Sequence, residues 1–271
     1  MLSRARGAAG RVTRTNRPLH VSFLIAGVQK GGTTALDDYL REHPGVRMCT
    51  PKEAHFFDDE SIDWRGPPYG RFHSMFEPAA DGVLRGEATP IYLYWPESLE
   101  RVRRYRPDMR LILLFRDPVE RAWSHWKMET DRGWEREPFA WCVREGRARV
   151  ADAFAPPGAH RVFSYVERGF YGAQLERALG LFGRDQLLLL RSEDLKREPE
   201  DVLDRVTAFL GLPPFPEPPR RRELNVAAEA SAPPEADADH LAAVYRDDLT
   251  RFAKLSGLDV SGWPTVLRGR G

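Results

Sequence analysis

Eight residues, Gly27-Val28-Gln29-Lys30-Gly31-Gly32-Thr33-Thr34, stand between an apolar run of strand length and an amphipathic helix. Val21, Phe23, Leu24, Ile25 and Ala26 come before them, and Ala35, Leu36, Tyr39 and Leu40 recur at helical spacing behind them. The segment therefore reads as strand, glycine loop and helix. Glycines let backbone N–H groups approach an anion with no Cβ in the way. The helix start adds unpaired donors and roughly half a positive charge. Lys30 supplies a full charge beside them, so a phosphate is the expected ligand.

The loop resembles a P-loop but departs from the nucleotide triphosphatase pattern G-x-x-x-x-G-K-[ST]. Counted from Gly27, the second glycine is Gly32, and Thr33 occupies the position where that pattern has its lysine. The loop's only lysine is Lys30. A second apolar run, Leu111 to Phe115, has the continuous character of a parallel strand covered on both faces. Arg116-Asp117-Pro118 follows it directly. Asp117 can cap a helix whose first residue is Pro118, which places Arg116 at the carboxyl end of a strand, where open α/β sheets put their ligands. Ser124 lies on that helix.

A loop with its lysine at Lys30, followed by two threonines, resembles the 5′-phosphosulfate loop of sulfotransferases that use 3′-phosphoadenosine 5′-phosphosulfate (PAPS). Arg116 and Ser124 match, in type and spacing, the arginine and serine with which that family holds the donor's 3′-phosphate. Pro51-Lys52-Glu53-Ala54-His55-Phe56-Phe57-Asp58 resembles the segment of the heparan sulfate-type (N-/O-sulfotransferase) branch in which a glutamate ahead of His-Phe-Phe is the catalytic base. The resemblance assigns Glu53 that role, with His55 as the rival base, since the aryl and steroid branch uses a histidine. It also implies that Lys30, Gly31, Gly32, Thr33 and Thr34 bind the donor together with Arg116 and Ser124. Gly86-Glu87-Ala88-Thr89-Pro90 differs from the family at one position: many heparan sulfate enzymes have a lysine where this chain has Ala88. Charge at the sulfuryl group then rests on Lys30, or on another cation such as Lys52.

Composition narrows the function classes. At 271 residues with 42% apolar and 30% charged side chains, the chain suits one α/β catalytic unit with a sizeable core. A net charge of +1 argues against a nucleic-acid partner. Cys49 and Cys142 stand in no metal or redox pattern and read as free thiols of a reducing cytosol. There is no run of membrane-spanning length and no signal-peptide core. Residues 1–19, with Arg4, Arg6, Arg11, Arg14 and Arg17 and no acid, read as a disordered basic leader ahead of a sulfotransferase domain over 20–271. Vertebrate Golgi relatives begin with a membrane anchor, so the expectation is a cytoplasmic, bacterial enzyme.

Further helices are expected around Leu99–Tyr105, Tyr171–Phe182, Val202–Leu210 and Leu241–Leu255, with a buried strand over Gln186–Leu190. Alternation of this kind predicts a single-domain parallel sheet flanked by helices, the P-loop-like sulfotransferase fold. Pro213 to Pro234 reads as a long loop carrying Arg220, Arg221 and Arg222, any of which could touch the donor, as a late basic loop does in the family. The acceptor is expected to be a small molecule or glycan bearing a hydroxyl or amine. Trp64, Tyr69, Phe72, His73, Phe76, Tyr92, Tyr94 and Trp95 are candidate stacking surfaces for it. The assignment calls for no metal, because Lys30 and the helix start supply the charge that magnesium gives a kinase. The alternatives are a P-loop small-molecule kinase, opposed by Thr33, and a catalytically silent nucleotide-binding regulator, opposed by Lys30 and Glu53.

Overall fold

A computed structural model describes residues 20–151, 158–220 and 231–269. The leader, Arg221 and Arg222 lie outside the described residues. Five strands, β1 (Phe23–Gly27), β2 (Val46–Met48), β3 (Leu84–Ala88), β4 (Arg110–Phe115) and β5 (Leu187–Arg191), form one sheet. Their order is β2-β3-β1-β4-β5, and every neighbouring pair is parallel. The chain builds β2 and β3 on one side of β1, then crosses to build β4 and β5 on the other. The strand order therefore reverses beside β1, and such a switch point leaves a crevice at the carboxyl ends of the strands.

The apolar runs are continuous because helices cover both faces of the sheet. Leu24 and Ala26 of β1 face one core with Leu111, Leu113 and Phe115, packed under the helices Tyr171–Leu181 and Glu235–Ser256. Phe23 and Ile25 face the other with Ile112, Leu114 and Leu190, under the helices Thr33–Glu42 and Pro199–Leu210. Close packing is severe at Gly86, where a Cβ would meet the Phe23 ring at 2.1 Å. The strand expected over Gln186–Leu190 runs one residue later, after a short turn of 3-10 helix at Arg184–Gln186.

Asp117 ties the C-terminal end of the chain to the sheet. Its carboxylate accepts from the Val119 and Glu120 N–H groups as the N-cap of the helix Pro118–Asp131. It also accepts from the backbone N–H and the hydroxyl of Thr265, at 2.8 and 2.7 Å. Trp263 is buried against Tyr171 and Phe252. Among the described residues no helix is long and apolar enough to cross a membrane.

Candidate active site

The loop after β1 is folded back against β4. Val28 N–H donates to Leu114 O at 2.9 Å, and Gly31 N–H donates to Val28 O at 2.9 Å. Gly31 sits so close to β4 that a Cβ would meet Leu114 O at 2.5 Å. Gly32, at φ 93°, is the N-cap of the helix Thr33–Glu42, which receives no side-chain cap. Only glycine adopts that conformation without strain. The first-turn amides are thus left without the capping partner that most helices recruit.

A cleft of about 1180 Å³ opens over this helix start, lined by Lys30, Gly32, Thr33, Thr34, Glu53, His55, Arg116 and Ser124 among others. Gly31 is the exception among the expected site residues. Its N–H is committed to Val28 O and it does not line the cleft, so its place is a tight-packing one forced by β4. Lys30 and His55 both stand in the left-handed region, at φ 67° and 48°. Such conformations cost about 1–3 kcal/mol for residues with side chains and gather at functional sites.

On the donor side, Lys30 Nζ lies 3.6 Å from Met128 Sδ. Burial lowers its pKa, and Arg132 and Arg116 nearby push it the same way. Arg116 comes off the end of β4 and is held by Glu120 one helical turn on, at 3.1 Å. Ser124 is buried two turns along the same helix. Ser192 closes this side from the end of β5, its Oγ 3.4 Å from where a Gly32 Cβ would stand.

Opposite lies a run of alternating charges. Lys52 Nζ meets Glu53 Oε1 at 3.1 Å, and Glu53 Oε2 meets His55 Nε2 at 3.2 Å. His55 Nδ1 meets Asp58 Oδ2 at 2.9 Å, and Arg161 binds both Asp58 Oδ2 and the Asp58 carbonyl. Burial pulls the His55 pKa down, but hydrogen bonds to Asp58 and Glu53 outweigh it and carry it up to about 9. Burial likewise opposes the Glu53 carboxylate, and the His55 hydrogen bond and the Lys52 charge overcome it, leaving its pKa lowered. At neutral pH this is a carboxylate beside an imidazolium, and only the carboxylate can take a proton.

Glu87 braces that loop from below. It is fully buried, and its Oε1 accepts from Ala54 N–H at 3.2 Å and from the Thr89 hydroxyl. Thr89 Oγ1 in turn accepts from His55 N–H at 3.3 Å. Burial pushes the Glu87 pKa up to about 7 against those hydrogen bonds. Its neighbour Ala88 is packed in the core.

Several expectations change. Lys52 pairs with Glu53 without lining the cleft; the further cations that do line it are Arg132, Arg161, Arg168 and Lys196. Phe72, Tyr92 and Trp95 are wholly buried, and Phe76 and Tyr94 nearly so, because they form the core beneath the His55 loop; none of the eight candidate aromatics lines the cleft. Among the described residues the one large aromatic on its rim is Trp134, 66% exposed, which spacing alone did not single out. Arg220 is exposed.

The order of parts, lysine loop, Glu-x-His segment and strand-end arginine around one cleft, agrees with a profile of the sulfotransferase domain that matches residues 21–226. The chain belongs to the sulfotransferase family. It is 33% identical over 193 residues to human (Homo sapiens) heparan sulfate glucosamine 3-O-sulfotransferase 6, covering 70% of this chain and 52% of that protein. The sulfotransferase from Alicyclobacillus acidocaldarius superposes with a TM-score of 0.73 at 28% identity, covering 90% of this chain and 98% of the other. A sulfotransferase domain of the curacin biosynthetic pathway, at 17% identity, a TM-score of 0.52 and coverage of 89% and 99%, shares the fold. The chain spans about half the length of the curated relatives it matches.

Proposed function

We propose that this sulfotransferase moves a sulfuryl group from PAPS to a hydroxyl or amine of a carbohydrate or small-molecule acceptor. The observation that carries the reading is the placing of Lys30 with an uncapped helix start and Glu53 on one cleft. The fit to the donor rests on chemistry: unpartnered first-turn amides and Lys30 suit the 5′-phosphosulfate, while Arg116 and Ser124 suit the 3′-phosphate. PAPS supplies an activated sulfuryl group whose leaving group is 3′-phosphoadenosine 5′-phosphate.

Glu53 takes the acceptor's proton as the new bond to sulfur forms and the bond to the 5′-phosphate oxygen breaks. Lys30 and the helix start meet the charge that develops on that leaving oxygen. His55, protonated between Glu53 and Asp58, orients the base and keeps it ionised. Gly32, Thr33 and Thr34 supply the loop donors, and no metal is required for these steps. Relatives named as heparan sulfate sulfotransferases and the exposed Trp134 favour a saccharide acceptor, since an indole face stacks on a sugar ring. Cys49 and Cys142, both buried free thiols, suit the cytoplasmic setting.

The test is to incubate the protein with sulfur-labelled PAPS, or with γ-labelled ATP and magnesium, against pooled saccharide and metabolite acceptors. Sulfur label moving to an acceptor supports the reading. Phosphorus label moving instead would make the protein a kinase.

A further inference from the structure

Arg168 is the cation of the cleft whose surroundings are least explained by the chemistry above. Its side chain is 3% exposed, yet it lines the cleft. Its hydrogen bonds go to neutral acceptors: Gln29 Oε1, Ser164 Oγ at 2.7 Å, His160 O at 2.9 Å and Arg161 O at 3.1 Å. Among the described residues none of its hydrogen-bond partners is a carboxylate. The other guanidinium groups on this cleft differ, since Arg116 is paired with Glu120, Arg132 with Glu129 and Arg161 with Asp58. Glu129 and Glu53 reach Arg168 only through space, and the Tyr94 ring lies 5.3 Å from its guanidinium carbon. A buried charge with no hydrogen-bonded carboxylate is costly, and a neutral side chain would fill the same buried space more cheaply.

The partners show what Arg168 joins. Gln29 is the residue before Lys30 in the glycine loop. Arg161, whose carbonyl Arg168 holds, reaches on to Asp58, which holds His55, which meets Glu53. From Gln29 to Glu53 the contacts are unbroken, and Arg168 is the link between the two walls of the cleft. We propose that Arg168 is a positioning residue that fixes the lysine loop against the wall bearing the base, and that its charge, to which no carboxylate is hydrogen-bonded, is answered by the anionic donor. The inference rests on the donor reading above.

The fork geometry matters to the first part and the charge to the second. Lysine can replace the charge but not the planar set of donors. Arg168→Lys should therefore bind 3′-phosphoadenosine 5′-phosphate within about threefold of the native protein while kcat falls about tenfold or more, as expected for a lost charge-assisted hydrogen bond. Arg168→Met should lose about tenfold or more in both. Gln29→Ala, which cuts the bridge from its half-buried end and leaves the buried arginine in place, should lower kcat by about tenfold with donor affinity little changed. Combined with Arg168→Lys it should cost no more than either alone, the mark of two residues acting through one contact.

Donor affinity is read by calorimetry and kcat at saturating PAPS with an acceptor the native protein sulfates. If native protein binds neither the bisphosphate nor PAPS, the functional reading itself fails. If native protein binds and turns over, and Arg168→Lys and Gln29→Ala both keep native kcat, Arg168 only fills space and the inference is overturned. Additive losses in the double variant would also overturn it.

Discussion

Glu53 Oε2 and His55 Nε2 lie 3.2 Å apart, with the far nitrogen of the same imidazole held by the buried Asp58. Sandwiched between two carboxylates, His55 is the protonated member of the pair and Glu53 the one able to accept a proton. The arrangement suits Glu53, which the resemblance already set ahead of His55. Glu53→Gln keeps shape and removes the proposed base, so kcat should fall by roughly 10²–10⁴ with donor affinity unchanged. His55→Ala should cost less, because Lys52 still holds the carboxylate. Steady-state kinetics that found Glu53→Gln near native and His55→Ala inactive would exchange the two roles.

The same pair sets a pH signature in stability. The folded pKa of His55 is raised from an ordinary value of 6.5 to about 9. A raised imidazole stabilises the fold fully below about pH 6.5, and that contribution is lost as pH rises through about 9. Urea melts of native protein and His55→Gln should therefore differ by a constant amount below pH 6.5 and converge by pH 9.5. A difference that stays flat across this window would mean that His55 is not held as an imidazolium.

Glu87 carries the same sign over a lower pH window. Its carboxyl, buried and raised to about 7, favours folding while protonated, and that advantage disappears as pH climbs from about 4.5 through 7. Glu87→Gln keeps an acceptor for Ala54 N–H and cannot ionise. Its stability relative to native protein should be greater at pH 8 than at pH 5. Parallel melts at the two values check this, and an unchanged difference would place the titration elsewhere.

How far these residues were legible in the sequence depends on how local their signals are. The glycine loop and the Asp117 cap are local patterns of backbone conformation, and the Asp117 bonds to Val119 and Glu120 follow directly from Asp-Pro at a strand end. β2 spans only three residues, Val-Arg-Met, and β3 reads Leu-Arg-Gly-Glu-Ala, so neither has the apolar run of a buried strand. Glu87 can sit in the sheet only because Thr89 and Ala54 meet it there. The aromatics following Glu53 and Thr89 looked equally suited to stacking on an acceptor or filling a core, and tertiary packing put Phe72, Tyr92 and Trp95 inside. Arg161 and Arg168 reach the cleft from 103 to 139 residues away along the chain from their partners Asp58 and Gln29, which no spacing rule anticipates.

Arg116 gives the test of donor selectivity. In this structure its guanidinium is engaged by Glu120, a partner that would compete with a 3′-phosphate. Arg116→Ala should shrink the preference for PAPS over adenosine 5′-phosphosulfate by roughly ten- to a hundredfold, the worth of a charge-assisted hydrogen bond. Ser124→Ala should shift it the same way by less. Glu120→Gln should instead tighten bisphosphate binding by freeing the arginine. Competition binding with the two nucleotides reads the ratio directly, and an unchanged ratio in Arg116→Ala would remove it from the 3′-phosphate site.

The most direct test of the central claim, that the Lys30 cleft is a metal-independent PAPS site, is the melting of native protein and Lys30→Ala with 3′-phosphoadenosine 5′-phosphate in the presence of chelator. Ligand at a hundred times its dissociation constant should stabilise the native protein by about 2.7 kcal/mol. Lys30→Ala, melted at the same concentration, should lose most of that shift. Stabilisation by ATP with magnesium and none by the bisphosphate would contradict the account.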